Sequence, residues 1–448
     1  MARDPTESLE QAPHLRRELG FRDLVLFSLA GIIGTRWIAA AARTGTSAVT
    51  IWIATTVLFF IPSAFAVARL SARYPETGGI YIWARESFGE WHGFLCFWVY
   101  WLGLVFWFPS ALMSYSSLTV YAFGPRFFHL ADNQGYVLIT SLGALVFVTA
   151  ANIVGLRFGK WIDNIGGASA YAIGAILAIL AVAAYLSRGT ATRFTWIEQP
   201  TWERVNFWSQ MAYALSGLEL APILAGEIRD PRRNLPRSAM AVAPLVGIFY
   251  ALSTGSVLAI LPSNQVNPMH GLSQSVAAGA QFVHVPWLPQ LVAVLIGLGA
   301  LGQFSVLGAS AARLPYAVGA HRFLPAALAR IHPRWHTPYV SILAFGGLAG
   351  AFLLLFQLGD TLRSAYQTVT DMMVIAGLTP YLYMYAAAWK LGARWSAACG
   401  FLVTALVVIC AVVPTSEVGS VWAFEAKLWG GIVVLVLSAR ILYRRARA

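Results

Sequence analysis

Charge is what this chain has least of. Only 11% of its 448 residues are Asp, Glu, Lys or Arg, and just 19 are acidic. Soluble domains carry roughly a quarter charged residues, so a water-exposed globule is excluded. Cysteine is almost as scarce: Cys96, Cys399 and Cys410 all fall in apolar stretches, which excludes a disulfide framework and offers no metal-site spacing. The eight histidines do not cluster, and the chain has no metal-binding His/Glu spacing, nucleophile elbow or phosphate-cradling glycine loop. Neither an enzyme nor a bound metal or organic cofactor is expected.

Apolar residues dominate instead, at 58% of the chain. A membrane span needs about 20 of them in a row. Twelve candidate segments lie near 22–42, 47–72, 92–122, 136–154, 162–187, 203–226, 237–261, 284–312, 338–357, 362–389, 395–413 and 424–443. The expectation is an all-α integral membrane protein with a tail at 1–21 and a basic tail at 444–448. The first segment follows a polar stretch with no small-residue cleavage site, so it reads as a span and not as a signal peptide.

The net charge of +12 suggests nucleic acid only until its distribution is read. With twelve spans, 23 of the 31 basic residues fall on the side of the two termini, against Arg126, Arg188, Arg193, Arg204, Arg363 and Lys427 on the other. That bias places both termini in the cytoplasm of a plasma membrane, of the bacterial inner-membrane kind. One missed span would scramble it. Only Arg36 and Arg43 escape the pattern, both in or beside the first span. The expected partners are lipid and a small-molecule substrate, not nucleic acid, and self-association is left open.

The first span contains Ala30-Gly31-Ile32-Ile33-Gly34-Thr35-Arg36-Trp37. Paired glycines weaken a helix where lipid offers the backbone no partners, and such a break is tolerated where it lines a cavity. Glycines also permit close helix packing, so this stretch alone leaves two readings. The sixth span repeats the anomaly in Tyr213-Ala214-Leu215-Ser216-Gly217-Leu218-Glu219 and adds a carboxyl at membrane depth. A carboxyl there is functional by default, as a proton carrier or in an ion pair. Broken helices at positions one and six point to an inverted-repeat transporter, with repeats at 22–187 and 203–389 and two further helices at 395–443. Asp371 is a second carboxyl near mid-membrane, and Arg36 is the candidate counter-ion for both. Asp163 is expected at the wet end of the fifth span. The aromatic rings of the third span read mostly as lipid or packing contacts, with Tyr100 and Trp101 deep enough for one to face a cavity. The segment 68–90 reads as a turn with a short amphipathic piece at the interface, carrying Tyr81, Trp83 and Phe88. The run Ala225 to Ser238 reads as a solvated charged loop or a gate latch.

These residues resemble the amino acid–polyamine–organocation superfamily. GIIGTRW is similar to that family's broken first helix, and AYALSGLELAPILAGEIRDPRRNLPRSA to its sixth helix and following loop. YPETGGIYIWARESFG, GASAARLPYAVGAHRFLPAALARIHPRWHTPYV and TPYLY resemble three further signatures, in the correct order. The resemblance implies a five-plus-five inverted-repeat (LeuT-like) core with alternating access. It implies that the amides of Gly34, Thr35 and Arg36 hold a substrate carboxylate. The carbonyls near Ala30, Gly31, Ala214 and Leu215 would take an amino group. The arginine/agmatine and glutamate/GABA exchanger branches are the most similar; the former imply a substrate box of Tyr100, Tyr213 and Phe304 and pH coupling at Glu219. Arg36 departs from the family's usual glycine, and Ala170 stands where some members place a lysine. The expected function is a secondary active permease for an amino acid or close derivative, as exchanger or proton symporter. The alternatives are a polyamine or organic-amine transporter and a sensor that binds an amino acid with little flux.

Overall fold

The computed structural model describes residues 17–196, 201–267, 270–320, 323–357, 362–413 and 421–447. The expectation for residues 1–16 of the tail lies outside them. The described chain is helical, with one isolated β-bridge between Leu19 and Ile228. The first expected span is a pair of helices, α1 (Phe21–Ile32) and α2 (Arg36–Arg43), bent by 46°. There follow α3 (Ser47–Arg73), the short α4 (Ile80–Phe88), α5 (Glu90–Thr119), α6 (Gln134–Val154) and α7 (Leu156–Arg188). The second half starts with another broken span, α8 (Trp202–Ala214) and α9 (Leu220–Ile223). It continues through α10 (Pro231–Ile260), α11 (Gly271–Phe282), α12 (Leu288–Ala320), α13 (Tyr339–Gln357) and α14 (Leu362–Lys390). α15 (Arg394–Cys410) and α16 (Val421–Arg447) complete it.

Among the described residues eight helices are long and apolar enough to cross a membrane, and the bent α1–α2 pair makes a ninth. The other expected spans are the shorter apolar helices in α13 and α15 and the interrupted α8–α9. The count of twelve therefore stays an expectation, because α15 has only 17 residues and α8–α9 is interrupted. The protein is a multi-pass membrane protein.

Burial separates centre from periphery. Leu186, Leu402 and Val434, on α7, α15 and α16, are exposed apolar side chains on the outer surface of the bundle. α5 is the opposite. Its Phe97, Tyr100, Trp101, Phe106, Trp107 and Phe108 are all buried in protein, so of the two expected roles these rings take packing and not lipid contact. Aromatic density looks the same in sequence whether a helix faces lipid or other helices. α4 forms where expected, yet Tyr81 and Trp83 are fully buried in the protein rather than seated at an interface. Two glycines let α7 and α12 meet backbone to backbone: a Cβ on Gly166 would lie 2.7 Å from the Cα of Gly302. That close approach positions the lower parts of both helices against α1.

Candidate functional site

The two helix breaks face each other. α1 ends at Ile32; the Ile33 amide still reaches the Leu29 carbonyl at 2.9 Å, but the Gly34 and Thr35 amides leave the ladder and need other partners. The Gly34 amide donates to the Tyr250 hydroxyl at 2.8 Å, and that hydroxyl donates to the Ile32 carbonyl at 2.9 Å. Gln303 Nε2 donates to the Gly31 carbonyl at 3.0 Å, while its own carbonyl oxygen accepts from the Tyr115 hydroxyl at 2.8 Å. The Thr35 hydroxyl is buried without a partner.

In the second break, Gly217 adopts φ +122°, a left-handed conformation that a side chain resists. This turns its amide onto Glu219 Oε2 at 3.0 Å and onto the Tyr381 hydroxyl at 2.9 Å. The Tyr100 hydroxyl donates to Glu219 Oε1 at 2.5 Å, and the Tyr381 hydroxyl donates to Oε2. Glu219 is 2% exposed, and its carboxyl is held by three neutral donors rather than by a cation. Neutral donors can hold a carboxyl at depth and still let a proton come and go; a tight ion pair resists that.

Between the breaks is a cavity of about 20 Å³, enough for a single water. Its walls are Gly31, Ile32 and Trp37 from the first broken helix, and Tyr100, Leu104 and Trp107 from α5. Tyr213, Ala214, Ser216, Gly217, Glu219 and Leu220 come from the second break, and Gln303, Leu307 and Gly377 close the rest. The walls must part before a substrate fits.

Arg36 is behind these walls, with no exposed surface. Its guanidinium carbon stands 4.0 Å from the centre of the Trp37 ring and 5.5 Å from that of Trp107. Nη1 donates to Ser110 Oγ at 2.7 Å, Nη2 points to the Met373 sulfur at 3.7 Å, and Nε has no partner. Among the described residues no carboxylate pairs with it, so the expected ion pair to Glu219 or Asp371 does not form. Each carboxyl has other partners: Glu219 is engaged with Tyr100 and Tyr381, and Asp371 accepts from Asn206 Nδ2 at 3.2 Å in a polar cluster with Gln210.

Of the residues singled out in the sequence, Gly31, Tyr100, Tyr213, Ala214, Ser216, Gly217 and Glu219 line the cavity. Ala30, Ile33, Gly34, Thr35, Arg36 and Leu215 are buried about the breaks without lining it. Phe304 is turned away, packed against Trp107, Phe108 and Tyr115 at 5.5, 5.5 and 5.7 Å between ring centres. Helical periodicity accounts for this: Gln303 and Leu307, four apart, share the inward face, and position 304 is a step of about 100° round from it. Trp37, Trp107, Tyr250, Gln303, Gly377 and Tyr381 were not selected by sequence reasoning. Gly377 and Tyr381 sit in or beside the TPYLY stretch, which flagged a break but not its contacts; for Tyr250 the sequence carries no signal.

The far side of the site is closed by a second set of contacts. Arg313 Nε and Nη2 donate to the two Glu227 oxygens at 2.7 and 3.1 Å, and both residues are buried. The amides of Glu18 and Leu19 donate to the Glu227 carbonyl at 2.9 and 3.1 Å, and Gly78 N donates to Ile223 O at 3.1 Å. At Glu227 the charged run after the sixth span is buried and ion-paired, as the latch expectation requires, while Arg229, Asp230, Arg232 and Arg233 are exposed.

A family model described as amino acid permease matches residues 19–439. An uncharacterized transporter of Legionella pneumophila is 28% identical over 94% of this chain and 96% of its own. The serine/threonine exchanger SteT of Bacillus subtilis is 25% identical over 73% of this chain and 74% of its own. The Lactococcus lactis protein named probable agmatine/putrescine antiporter AguD is 25% identical over 59% of this chain and 56% of its own. Among solved structures, MhsT in complex with L-phenylalanine superposes with a TM-score of 0.62 at 14% identity, covering 90% of this chain and 98% of that one.

Proposed function

Since the chain belongs to the amino acid permease family, we propose that this amino acid or amine transporter carries a small amino-acid zwitterion by alternating access, with a proton exchanged at Glu219. The observation that carries the reading is the facing pair of helix breaks with Glu219 between Tyr100 and Tyr381. The first break offers amide groups at the N-terminal end of α2, where a carboxylate is favoured. The second offers carbonyls at Ala214 and Leu215 for an ammonium. Tyr250 and Gln303 now occupy the Gly34 amide and the Gly31 carbonyl, so substrate entry displaces them or uses their neighbours. The repeats 22–187 and 203–389 would rock about this site, with 395–443 outside them.

Placement in the plasma membrane with both termini cytoplasmic rests on the sidedness of the basic residues. The lipid-facing Leu186, Leu402 and Val434 support a lipid environment; nothing in these contacts requires a second copy of the chain. An organic amine is the second reading, favoured by the carboxyl and the aromatic faces of Tyr100 and Tyr213 in the cavity wall. Buried Arg36 behind Trp37 opposes a purely cationic substrate. Proteoliposomes tested with labelled amino acids, agmatine and putrescine, with and without internal substrate and a pH gradient, separate these. Binding without flux would replace the transporter mechanism with a sensor.

A further inference from the structure

Glu219 and Asp371 are not the only carboxyls inside this helical core. Asp163 on α7 is 3% exposed, not at a wet helix end as the sequence suggests, and its Oδ1 has no hydrogen-bond partner among the described residues. Such an atom is costly to leave in a low-dielectric interior. Its surroundings are set by the glycine contact between α7 and α12. Where Gly166 meets Gly302, the antiparallel helices bring Asp163 one turn further to the level of Ser305. Ser305 Oγ is 3.4 Å from where a Cβ on Gly159 would be, on the same face of α7 as Asp163, which brings the hydroxyl beside the carboxyl. Gly167, one turn above, packs on the Leu26 carbonyl of α1, the helix that ends in the substrate site.

The charged groups on the helices packed against α7 are Arg22 and Asp23 of α1, Arg232, Arg233 and Arg237 of α10, and Arg313 of α12. Of these only Arg313 acts on Asp163. Its guanidinium reaches back along α12, with Nη1 donating to the Ala309 carbonyl at 3.2 Å, but its other nitrogens are committed to Glu227. Asp163 thus has a hydroxyl on one side, a shared cation at a distance, and an open oxygen.

We propose that Asp163 is a proton-binding site, separate from the substrate cavity, on the side of the protein closed by the Glu227–Arg313 latch. The step is Asp163–COOH ⇌ Asp163–COO⁻ + H⁺, with the proton passing to water when α1 moves away from α7. Protonated, Asp163 leaves Arg313 to Glu227 and the latch stays shut. Deprotonated, it competes with Glu227 for the same guanidinium and loosens the latch. The coupling of this proton to flux rests on the transporter reading above; the binding of the proton does not.

pH-difference infrared spectroscopy of the full-length purified protein tests it. Wild type, E219Q and D371N should share a carbonyl band of a protonated carboxylic acid that D163N lacks and that S305A shifts in frequency. S305A carries the test should D163N fail to fold. In proteoliposomes, the ratio of proton-driven uptake to substrate exchange should fall roughly tenfold or more in D163N, the factor that one pKa unit of interaction represents. Absence of any band that D163N removes or S305A shifts overturns the inference while leaving a transporter that still exchanges substrate. An unchanged ratio, or uptake that follows sodium instead of protons, overturns the coupling. The band without flux of any amino acid or amine keeps the proton site and removes the transporter mechanism.

Discussion

Tyr250 is the sharpest test of how the first break is held. One hydroxyl serves two backbone groups that a continuous helix would have paired, accepting from the Gly34 amide and donating to the Ile32 carbonyl. The ring is fixed independently by stacking on Trp52, with centres 4.4 Å apart and planes within 5°. Tyr250→Phe therefore removes the hydroxyl and leaves the packing. Each buried group left unpaired costs about 1–3 kcal/mol, so the combined loss is about 2–6 kcal/mol. The expected result is a clearly lower melting temperature in detergent. Substrate affinity should move the other way, because the freed Gly34 amide no longer has an internal competitor for the substrate carboxylate. Uptake kinetics in proteoliposomes should give an unchanged or lower KM. A raised KM with unaltered melting would refute the reasoning, since it would place the hydroxyl on the substrate and not on the break.

Three further substitutions probe the rest of the site. Glu219→Gln presents an amide NH₂ to groups that now donate to the carboxyl, so at least one of the Gly217 amide and the tyrosine hydroxyls loses its acceptor, at about 1–3 kcal/mol; transport should lose most of its pH dependence, and an unchanged pH–rate profile would remove its assigned role. Gly217→Ala forces a side chain into φ +122° with its Cβ 2.8 Å from Ile32 Cγ1, so strain of about 1–2 kcal/mol adds to overpacking of about 1–3 kcal/mol; thermal melts should show a loss and substrate binding should fail. Glu227→Gln leaves Arg313 buried beside a neutral partner, a loss of about 3–5 kcal/mol; thiol labelling of a cysteine introduced on α9 should become faster, and equal labelling would show that the pair is no latch.

The breaks at Gly31–Gly34 and Ser216–Gly217 were legible because glycine at membrane depth has few meanings, and Glu219 because a carboxyl there is rarely idle. Among the described residues, nine of the spans were legible through apolar length. What escaped is tertiary. Tyr250, Gln303 and Tyr381 come from distant helices, and their spacing in the chain says nothing about which backbone group they reach. Phe304 failed by one step of helical rotation, a difference that hydrophobic pattern cannot register when the whole helix is apolar. Asp163 seemed wet because it lies early in its span, but α12 and α1 cover that end through glycine contacts invisible in one sequence.

Arg36 is a buried cation with no counter-ion among the described residues, and how it is tolerated decides what its replacement should do. Its charge is spread over a planar group that lies against Trp37, tied to α5 through Ser110 and reaching α14 at Met373. A desolvated cation–π contact is worth about 2 kcal/mol or more, so the two rings together offset a substantial part of the desolvation cost. Trp37 and Trp107 are also walls of the cavity, which makes Arg36 the clamp that holds α2 against α5 when the site is closed. Arg36→Lys keeps the charge but loses the planar stack and the forked geometry. If the clamp reading is right, Lys and Gly at this position should lower thermal stability by similar amounts, about 2 kcal/mol or more, while the rank order of transported amino acids stays the same. If Arg36 instead reads the substrate, Lys should preserve that order and Gly should change it. Competition uptake across the amino-acid panel in the two variants decides between these outcomes.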